Sequence, residues 1–402
     1  MTGVVLTINA GSSSIKFSVY DAAAVPRCRI IGQIEGLGAS VHCKAVDEAK
    51  TLLIDRIWPA GQGPDSHASA LAEILAWLEE ELPGVRVEGV GHRIVHGGRD
   101  HTRPALIDDE LVAELAKLTS LAPLHQPHNL AGVAAAREHF PDAPQVACFD
   151  TAFHRTQAFV AEAYALPRSY YEEGVRRYGF HGLSYEYVGR RLAAIAPLEA
   201  AGRVIIAHLG NGCSMAALRG GRSVATTLGF SSLDGLPMGT RCGQIDPGIL
   251  LYLIDQKGMS SGEVSDLLFK NSGLKGMSGL SHDLRVLESS DDPKAKDAIE
   301  HFAYRVRRET GSLAAALGGI DALVFTAGIG ENATRVRARI LDGLQWLGVE
   351  LDAAANVQSR PLISTPDSKV KVFVIPTDEE AMIARHTIHL LGLGQPTVLA
   401  IA

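Results

Sequence analysis

Residues suited to holding an anion stand almost at the start of the chain. The stretch "LTINAGSSSIKFSVYD", Leu6 to Asp21, reads as a strand, a Gly/Ser turn and a second strand. A structural hairpin needs only Asn-Gly or Asp-Gly at its tip. This tip carries Ser12, Ser13 and Ser14, with Asn9 before it and Lys16 after it. Hydroxyls and successive backbone N–H groups make an anion-binding concavity, and Lys16 supplies counter-charge. The motif is neither a P-loop nor GxGxxG, and no helix follows it. A second stretch, "HLGNGCS", sets His208, Leu209, Gly210, Asn211 and Gly212 in the same strand–turn–strand pattern, so that Gly11 matches Gly212 and Ser13 matches Ser214. A third, "TAGIGENATRVR", places Gly328, Ile329, Gly330, Glu331 and Asn332 between an apolar strand and a helix. Glycines there admit a ligand to the backbone, and a helix N-terminus favours an anion. Taken alone, that turn is better accounted for by Asn332 as a helix N-cap.

Single charged residues stand at informative places. "VACFDTAFH" puts Asp150 at the C-terminal end of an apolar strand, where ligands of open α/β sheets bind. It reads as a metal ligand, a positioning group or a cap. "VGHRIVHGGR" holds Arg93 inside a strand-like run, where a guanidinium must be paired or face a cleft. His92 and His96 are four apart on a non-helical segment, so they do not read as a zinc pair. His181 and Arg241 lie on the Gly-rich loops "RRYGFHGLS" and "GLPMGTRCGQIDPG", and His125 lies in "APLHQPHN". In "IPTDEEAMIARH", Thr377 and Glu380 form a T-x-x-E capping box. Glu379 has no part in that cap and is free to reach a metal ion.

These residues need a scaffold of alternating strands and helices. "GVVLTIN", "RVEGVGHRIV", "APQVACFD", "RVIIAHLG", "DALVFTAG" and "KVKVFVIP" read as strands, several buried on both faces. "SHASALAEILAWLEEEL" places Leu71, Ile74, Leu75 and Leu78 on one helical face, and "DELVAELAKL", "PHNLAGVAAAREHF", "ATRVRARILDGLQWLG" and "EEAMIARHTIHLLGL" follow the same period. Segments 40–65 and 355–370 read as loops. Alternation of this kind means α/β layers, and the echo between the two hairpins points to a duplicated fold of two related domains with a ligand between them. The chain of 402 residues, 46% of them hydrophobic, is long enough for two or three domains. Its net charge of -7 carries no basic stripe, which argues against nucleic acid as a partner. Five cysteines without a CxxC argue against a disulfide framework and for a reducing compartment. There is no signal-peptide pattern and no apolar run long enough to span a membrane. The expectation is a cytoplasmic protein.

Ten motifs in order carry a resemblance to a known family: "NAGSSSIKF", "GHRIVHGG", "APLH", "FDTAFH", "RRYGFHG", "HLGNG", "GLPMGTRCGQIDPG", "HDLR", "FTAGIGEN" and "IPTDEE". Together they resemble the acetate kinases, part of the superfamily of sugar kinases, actin and heat-shock chaperone ATPases. The resemblance runs from Asn9 to Glu380. It implies a duplicated ribonuclease-H-like, actin-like ATPase fold: one α/β domain over 1–153, a second over 154–380 carrying most of the ATP site, and a helix over 381–396 returning to the first. It implies reversible phosphoryl transfer between ATP and acetate, giving acetyl phosphate and ADP, with Mg²⁺ or Mn²⁺, in a homodimer. Arg93 and Arg241 would hold the carboxylate and the phosphoryl group, His181 would stabilise that group in transit, and Asp150 would orient the reactants. Asn9 and Glu379 would serve the metal. Ser14, Lys16, the "HLGNG" turn, Asp283, Leu284, Arg285 and the "GIGEN" turn would hold ATP. Val95, Leu124 and Phe180 would line the acyl pocket.

The sequence also departs from the family pattern. "GFSSLDGL" has Ser232 where the family usually has proline beside the acyl pocket, so acyl preference stays open among acetate, propionate and butyrate. "PTDEE" places Asp378 beside the metal residue, "HGLSY" replaces HGTSH, and "LHQPHN" replaces LHNPPN or LHNPAN. A rival of another class is a nucleotide switch of the actin or chaperone kind. Arg93, His181 and Arg241 speak against it, since a switch has no need of a carboxylate clamp.

Overall fold

The computed structural model describes residues 3–11, 14–37, 40–123 and 125–394. The chain divides into two compact units, one made of Met1–Ala152 with the segment from Asp378 onward, the other of Phe153–Thr377. Ser12, Ser13 and Leu124, and the end of the expected 381–396 helix, lie outside the described residues.

In the first unit the strands are β1 (Val4–Ala10), β2 (Ser14–Asp21), β3 (Cys28–Glu35), β4 (Val41–Asp47), β5 (Leu52–Trp58), β6 (Val87–Ile94), β7 (Ala105–Leu106) and β8 (Gln145–Phe149). They form one sheet in the order β5-β4-β3-β2-β1-β6-β8-β7. Strands β1 to β5 are antiparallel neighbours, while β6 and β8 join parallel. The reading of 40–65 as a loop is corrected: β4 and β5 occupy most of it. Val41, Cys43 and Ala45 alternate with His42 and Lys44, a period of two that marks a half-buried strand. The "GQGPDS" turn residues lie after β5, and a tight turn at Glu48 and Ala49, with Lys50 at φ 65°, joins β4 to β5.

The helix His67–Glu81 buries Leu71, Ile74, Leu75 and Leu78 against β1, β2 and β3. The helix Glu379–Leu390 packs on β1 and β6. That approach is close: a Cβ at Gly91 would lie 2.3 Å from Thr387 Oγ1. The helix begins two residues earlier than expected and is capped by Asp378, whose carboxylate accepts from Ala381 N at 2.8 Å. The T-x-x-E capping box is thereby corrected. Asp378 has the shorter side chain at the right offset, and this leaves Glu380 free for another role.

In the second unit β9 (Arg203–Leu209), β10 (Cys213–Arg219), β11 (Arg222–Thr226), β12 (Ala322–Thr326) and β13 (Lys371–Val374) form a sheet in the order β11-β10-β9-β12-β13. Its two hairpin pairs are antiparallel and its last two additions parallel. The run β3-β2-β1-β6-β8 of the first unit has the same order and the same strand senses. A helix of 25 residues, Pro293–Leu317, packs on β10 and ends at Gly318 with φ 71°; no local motif marks it in the sequence. The helix expected over "ATRVRARILDGLQWLG" stops at Leu341 and resumes as a short 3-10 turn, Gln345–Leu347. Gly343 marks the break, where a Cβ would lie 2.4 Å from Arg307 Cδ. Segment 355–370 is largely irregular, held by bridges Leu351–Ser364 and Leu362–Phe373. Among the described residues, all five cysteines are free and no helix is long and apolar enough to cross a membrane.

Candidate active site

The sequence candidates fall into two constellations, one in each unit. In the first unit they gather where β1, β6 and β8 end. Asn9, on β1, stands opposite Lys16 of β2 in the hairpin register. The Arg93 guanidinium, on β6, donates through Nε and Nη2 to one oxygen of Asp150, at 3.0 and 2.5 Å. Its Nη1 donates to Asn9 Oδ1 at 3.1 Å, and Nε lies 3.8 Å from Glu379. The Asn9 amide donates in turn to Glu380 at 3.1 Å and Glu379 at 3.5 Å. Glu380, read from sequence as half of a cap, is therefore part of this network.

Asp150 is fully buried, and its second oxygen, Oδ1, has no hydrogen-bond partner. Such an orphan acceptor is costly and calls for a ligand. Burial raises the Asp150 carboxyl to about 6; Arg93 works against that rise and Glu379 with it. The Arg93 guanidinium loses hydration, yet Asp150 and Glu379 outweigh this and hold it more firmly charged. The donors here are carboxylate oxygens, the hard ligands that Mg²⁺ prefers. Among the described residues no three acidic, His or Cys side chains form a cage of their own. Mg²⁺ needs none, because it is commonly held by one or two carboxylates with water and substrate phosphates. The residues therefore fit that ion.

Asn129 was not singled out from sequence. Its side chain is buried, accepts from Val95 N at 2.9 Å and donates to Ala10 O at 2.7 Å. It ties the end of β1, beside Asn9, to the end of β6, beside Arg93. Val95 itself is buried.

In the second unit His181 precedes the helix Gly182–Ile195 with φ 59°, a left-handed conformation uncommon outside glycine. Its Nδ1 lies 2.8 Å from Ser214 Oγ, and Ser214 pairs with the Tyr185 hydroxyl at 2.5 Å. The ring stacks on His208 with centroids 4.2 Å apart. His208 bonds Ser184, which receives a hydrogen bond from Thr377, each at 2.8 Å. A Cβ built at Gly212 would lie 3.3 Å from His181 Nε2 and 3.9 Å from Arg241 Nη1, so the "HLGNG" turn, His181 and Arg241 share one small space. Asn211 stands exposed at the turn's tip, and Leu209 is buried behind it. Arg241 Nη1 also donates to the Ser232 carbonyl at 3.3 Å. Phe180 is buried immediately before His181.

The "GIGEN" residues belong to a short helix, Ala327–Asn332, so Asn332 ends a helix where the sequence allowed it to start one. Its Nδ2 donates to Gly328 O at 2.9 Å. Glu331 accepts from Ala327 N and Thr377 N, at 2.8 and 3.1 Å, and so closes its own turn. Asp283 caps the helix Leu284–Glu288 and pairs with Arg285 at 2.6 Å, which holds its carboxyl below the usual range. The Arg285 side chain is otherwise exposed, whereas Leu284 is buried.

Residues 4–385 match the model of the acetokinase family. The chain is 54% identical to an acetate kinase of Methylocella silvestris over 97% of its own length and 98% of that protein. It is 44% identical to an acetate kinase of Methanosarcina acetivorans, covering 95% and 96% of the two chains. Among solved structures it resembles the Porphyromonas gingivalis acetate kinase (TM-score 0.85, 37% identity, 97% and 100% covered). It also resembles a propionate kinase of Francisella tularensis (TM-score 0.89, 35% identity, 96% and 99% covered). With the family model spanning nearly all of a chain whose Arg93, Asp150, His181 and Gly212 sit as described, this protein belongs to the acetokinase family.

Proposed function

We propose that this protein transfers a phosphoryl group reversibly between ATP and acetate, forming acetyl phosphate and ADP. The observation that carries the reading is the Arg93–Asp150 pair, with Asn9 and Glu379 around it and one Asp150 oxygen left without a partner. A carboxylate acceptor is ionised at neutral pH, since carboxyl pKa values lie near ~4. No general base is needed. The barrier is electrostatic, because an anion must approach a polyanion, and catalysis rests on positioning and charge neutralisation.

Each candidate has a place in that scheme. Arg93 and Arg241 supply forks that match carboxylate and phosphoryl oxygens. His181 presents Nε2 toward Gly212 and neutralises charge on the group in transit. Asp150 orients Arg93 and, with Glu379 and Asn9, holds Mg²⁺. When bound, that ion would offset the charge of the phosphate oxygens. Ser14, Lys16, the "HLGNG" and "GIGEN" turns and the Asp283–Arg285 segment serve ATP. Val95, Phe180, Leu124 and Ser232 are the residues we assign to recognition of the acyl group. The recurring strand order in the two sheets supports a duplicated ribonuclease-H-like fold. The helix Pro247–Asp255 buries none of its residues, and Ile249, Leu251, Tyr252 and Ile254 are 44–63% exposed. A second copy covering that helix is the homodimer we propose, and the cytoplasm is the compartment.

Ser232 favours a second reading of the substrate. It replaces the family's usual proline and leaves propionate in play, the acid named for the Francisella relative. Hydroxylamine trapping of acyl phosphate with Mg-ATP and acetate, propionate or butyrate tests both. The expected product is strongest with acetate. Preference for a longer acid changes the substrate and keeps the mechanism, whereas no product with any acid refutes the reading.

A further inference from the structure

We propose that His154 is a positioning residue for His181. This rests on the function proposed above, in which His181 meets the phosphoryl group. His154 lies in the short 3-10 turn Ala152–Thr156, four residues after Asp150. It is fully buried and has no route to a ligand of its own. Its Nε2 stands 3.0 Å from the carbonyl oxygen of Phe180, so that nitrogen carries the proton and donates it. Its Nδ1 accepts from the Ser223 hydroxyl at 2.9 Å, and Ser223 accepts from Gln157 Nε2 at 3.0 Å. Burial keeps the ring neutral by lowering its pKa to about 3. One tautomer is thus fixed, with its donor aimed at the peptide that precedes His181.

That peptide needs holding. His181 occupies the left-handed region, and Gly179, two residues earlier, has φ 74°. Such backbone persists where its surroundings over-determine it, and functional sites are where it is found. A Cβ at Gly179 would lie 2.6 Å from the His154 ring, so the imidazole packs directly against that residue. The next residue of the turn, Arg155, donates from Nη2 to the Tyr178 carbonyl at 2.6 Å. Tyr178, Gly179 and Phe180 are therefore all gripped from this one turn. The His154 ring also meets Tyr185 edge-on, with centroids 5.5 Å apart. The Tyr185 hydroxyl pairs with Ser214, which bonds His181 Nδ1. His154 thus bears on both the backbone and the ring partner of His181.

Two amide substitutions separate the two ring nitrogens. His154→Gln places an amide near the position of Nε2 and retains a donor for Phe180. His154→Asn reaches only the position of Nδ1 and loses it. In acyl phosphate assays His154→Asn is expected to lower kcat by about 10-fold or more, since small misplacements of a positioned group cost up to ~100-fold. KM values for ATP and acid should stay within about threefold, and His154→Gln should recover most of kcat. In protein labelled with ¹⁵N-histidine, the His181 ring signals, assigned by their loss in His181→Gln, should match wild type in His154→Gln and shift in His154→Asn. Ser223→Ala, which frees Nδ1 and leaves the donor untethered, should show a smaller loss of kcat and serves if His154→Asn does not fold. A wild-type kcat in His154→Asn overturns the proposal whatever its melting temperature, and so do equal losses in both amide variants. If the wild type itself makes no acyl phosphate, the functional reading fails instead, and unshifted His181 signals in His154→Asn would then overturn the positioning role separately.

Discussion

His92 converts pH into stability, and the size of the effect follows from where it sits. It lies on β6 in the interior of the sheet, buried, with Nε2 donating to Gln145 Oε1 at 2.6 Å. Gln145 spends its amide N–H on the Ala143 carbonyl at 3.2 Å, so its oxygen is the acceptor. Burial lowers the His92 pKa to about 4, against a partial rise from the Gln145 bond. In the unfolded chain it returns to 6.5. Below that value the unfolded state takes up a proton that the folded state refuses, so its contribution is whole above pH 6.5 and falls as pH drops toward 4. Each pH unit in that window costs about 1.4 kcal/mol. Between pH 7.5 and 5.0 the loss assigned to His92 is therefore about 2 kcal/mol. His92→Gln retains a donor for Gln145 and cannot titrate. Urea unfolding of both proteins at the two pH values, followed by fluorescence of Trp58 and Trp77 in the same unit, measures the difference and cancels the carboxylates common to both. The wild type should lose about 2 kcal/mol more than the variant. Parallel losses would refute the reasoning and show that His92 is already protonated in the fold or is reached by water.

Asp150→Asn keeps the size of the side chain while removing its charge from Arg93. Turnover should fall by at least about 100-fold, the Mg²⁺ concentration for half activity should rise, and alkaline pH should not restore the rate. Recovery at high pH would make Asp150 a base after all. Arg337 is fully buried and donates to Asn356 through Nε and Nη2, to Gly330 O and to Ser359 Oγ, all at 2.8–2.9 Å, with no acid among these partners. Arg337→Met strands those acceptors and should cost about 3 kcal/mol, read from chemical unfolding of the second unit by Trp346 fluorescence. A loss below 1 kcal/mol would mean that water replaces the guanidinium.

Much of the site was legible because its charged residues lie in short contiguous motifs at strand ends. Asn9, Arg93 and Asp150 each follow an apolar run whose burial is written in Val, Ile and Leu, and the fold brings those ends together. The hairpin echo between Gly11 and Gly212 anticipated a strand order that both sheets share. What stayed hidden depends on partners far apart in the chain. Nothing near Asn129 says that its amide spans Val95 and Ala10, and nothing near Thr377 points to Ser184. Glu380 was assigned to a cap because T-x-x-E is a sound local pattern, but Asp378 won that role through its reach. Strands β4 and β5 were missed since their polar, Lys- and Arg-bearing faces dilute the apolar signal, although β4 alternates cleanly.

The first constellation has a charge problem that its own residues do not solve. Asp150, Glu379 and Glu380 all lie within reach of one guanidinium, and Asn9 contributes no charge. Arg93 is bound mainly to one oxygen of Asp150, which leaves the other buried and unpaired. Burial is the main cause of the rise in the Asp150 pKa, and Glu379 adds to it against the opposing pull of Arg93. A purely structural ion pair would be expected to satisfy both carboxylate oxygens, because an orphan costs about 1–3 kcal/mol or more when charged. A divalent cation held by Asp150 and Glu379 would offset that excess. The imbalance is what the proposed function needs: the folded chain stores unsatisfied negative charge at Asp150 and Glu379, which a bound Mg²⁺ would offset.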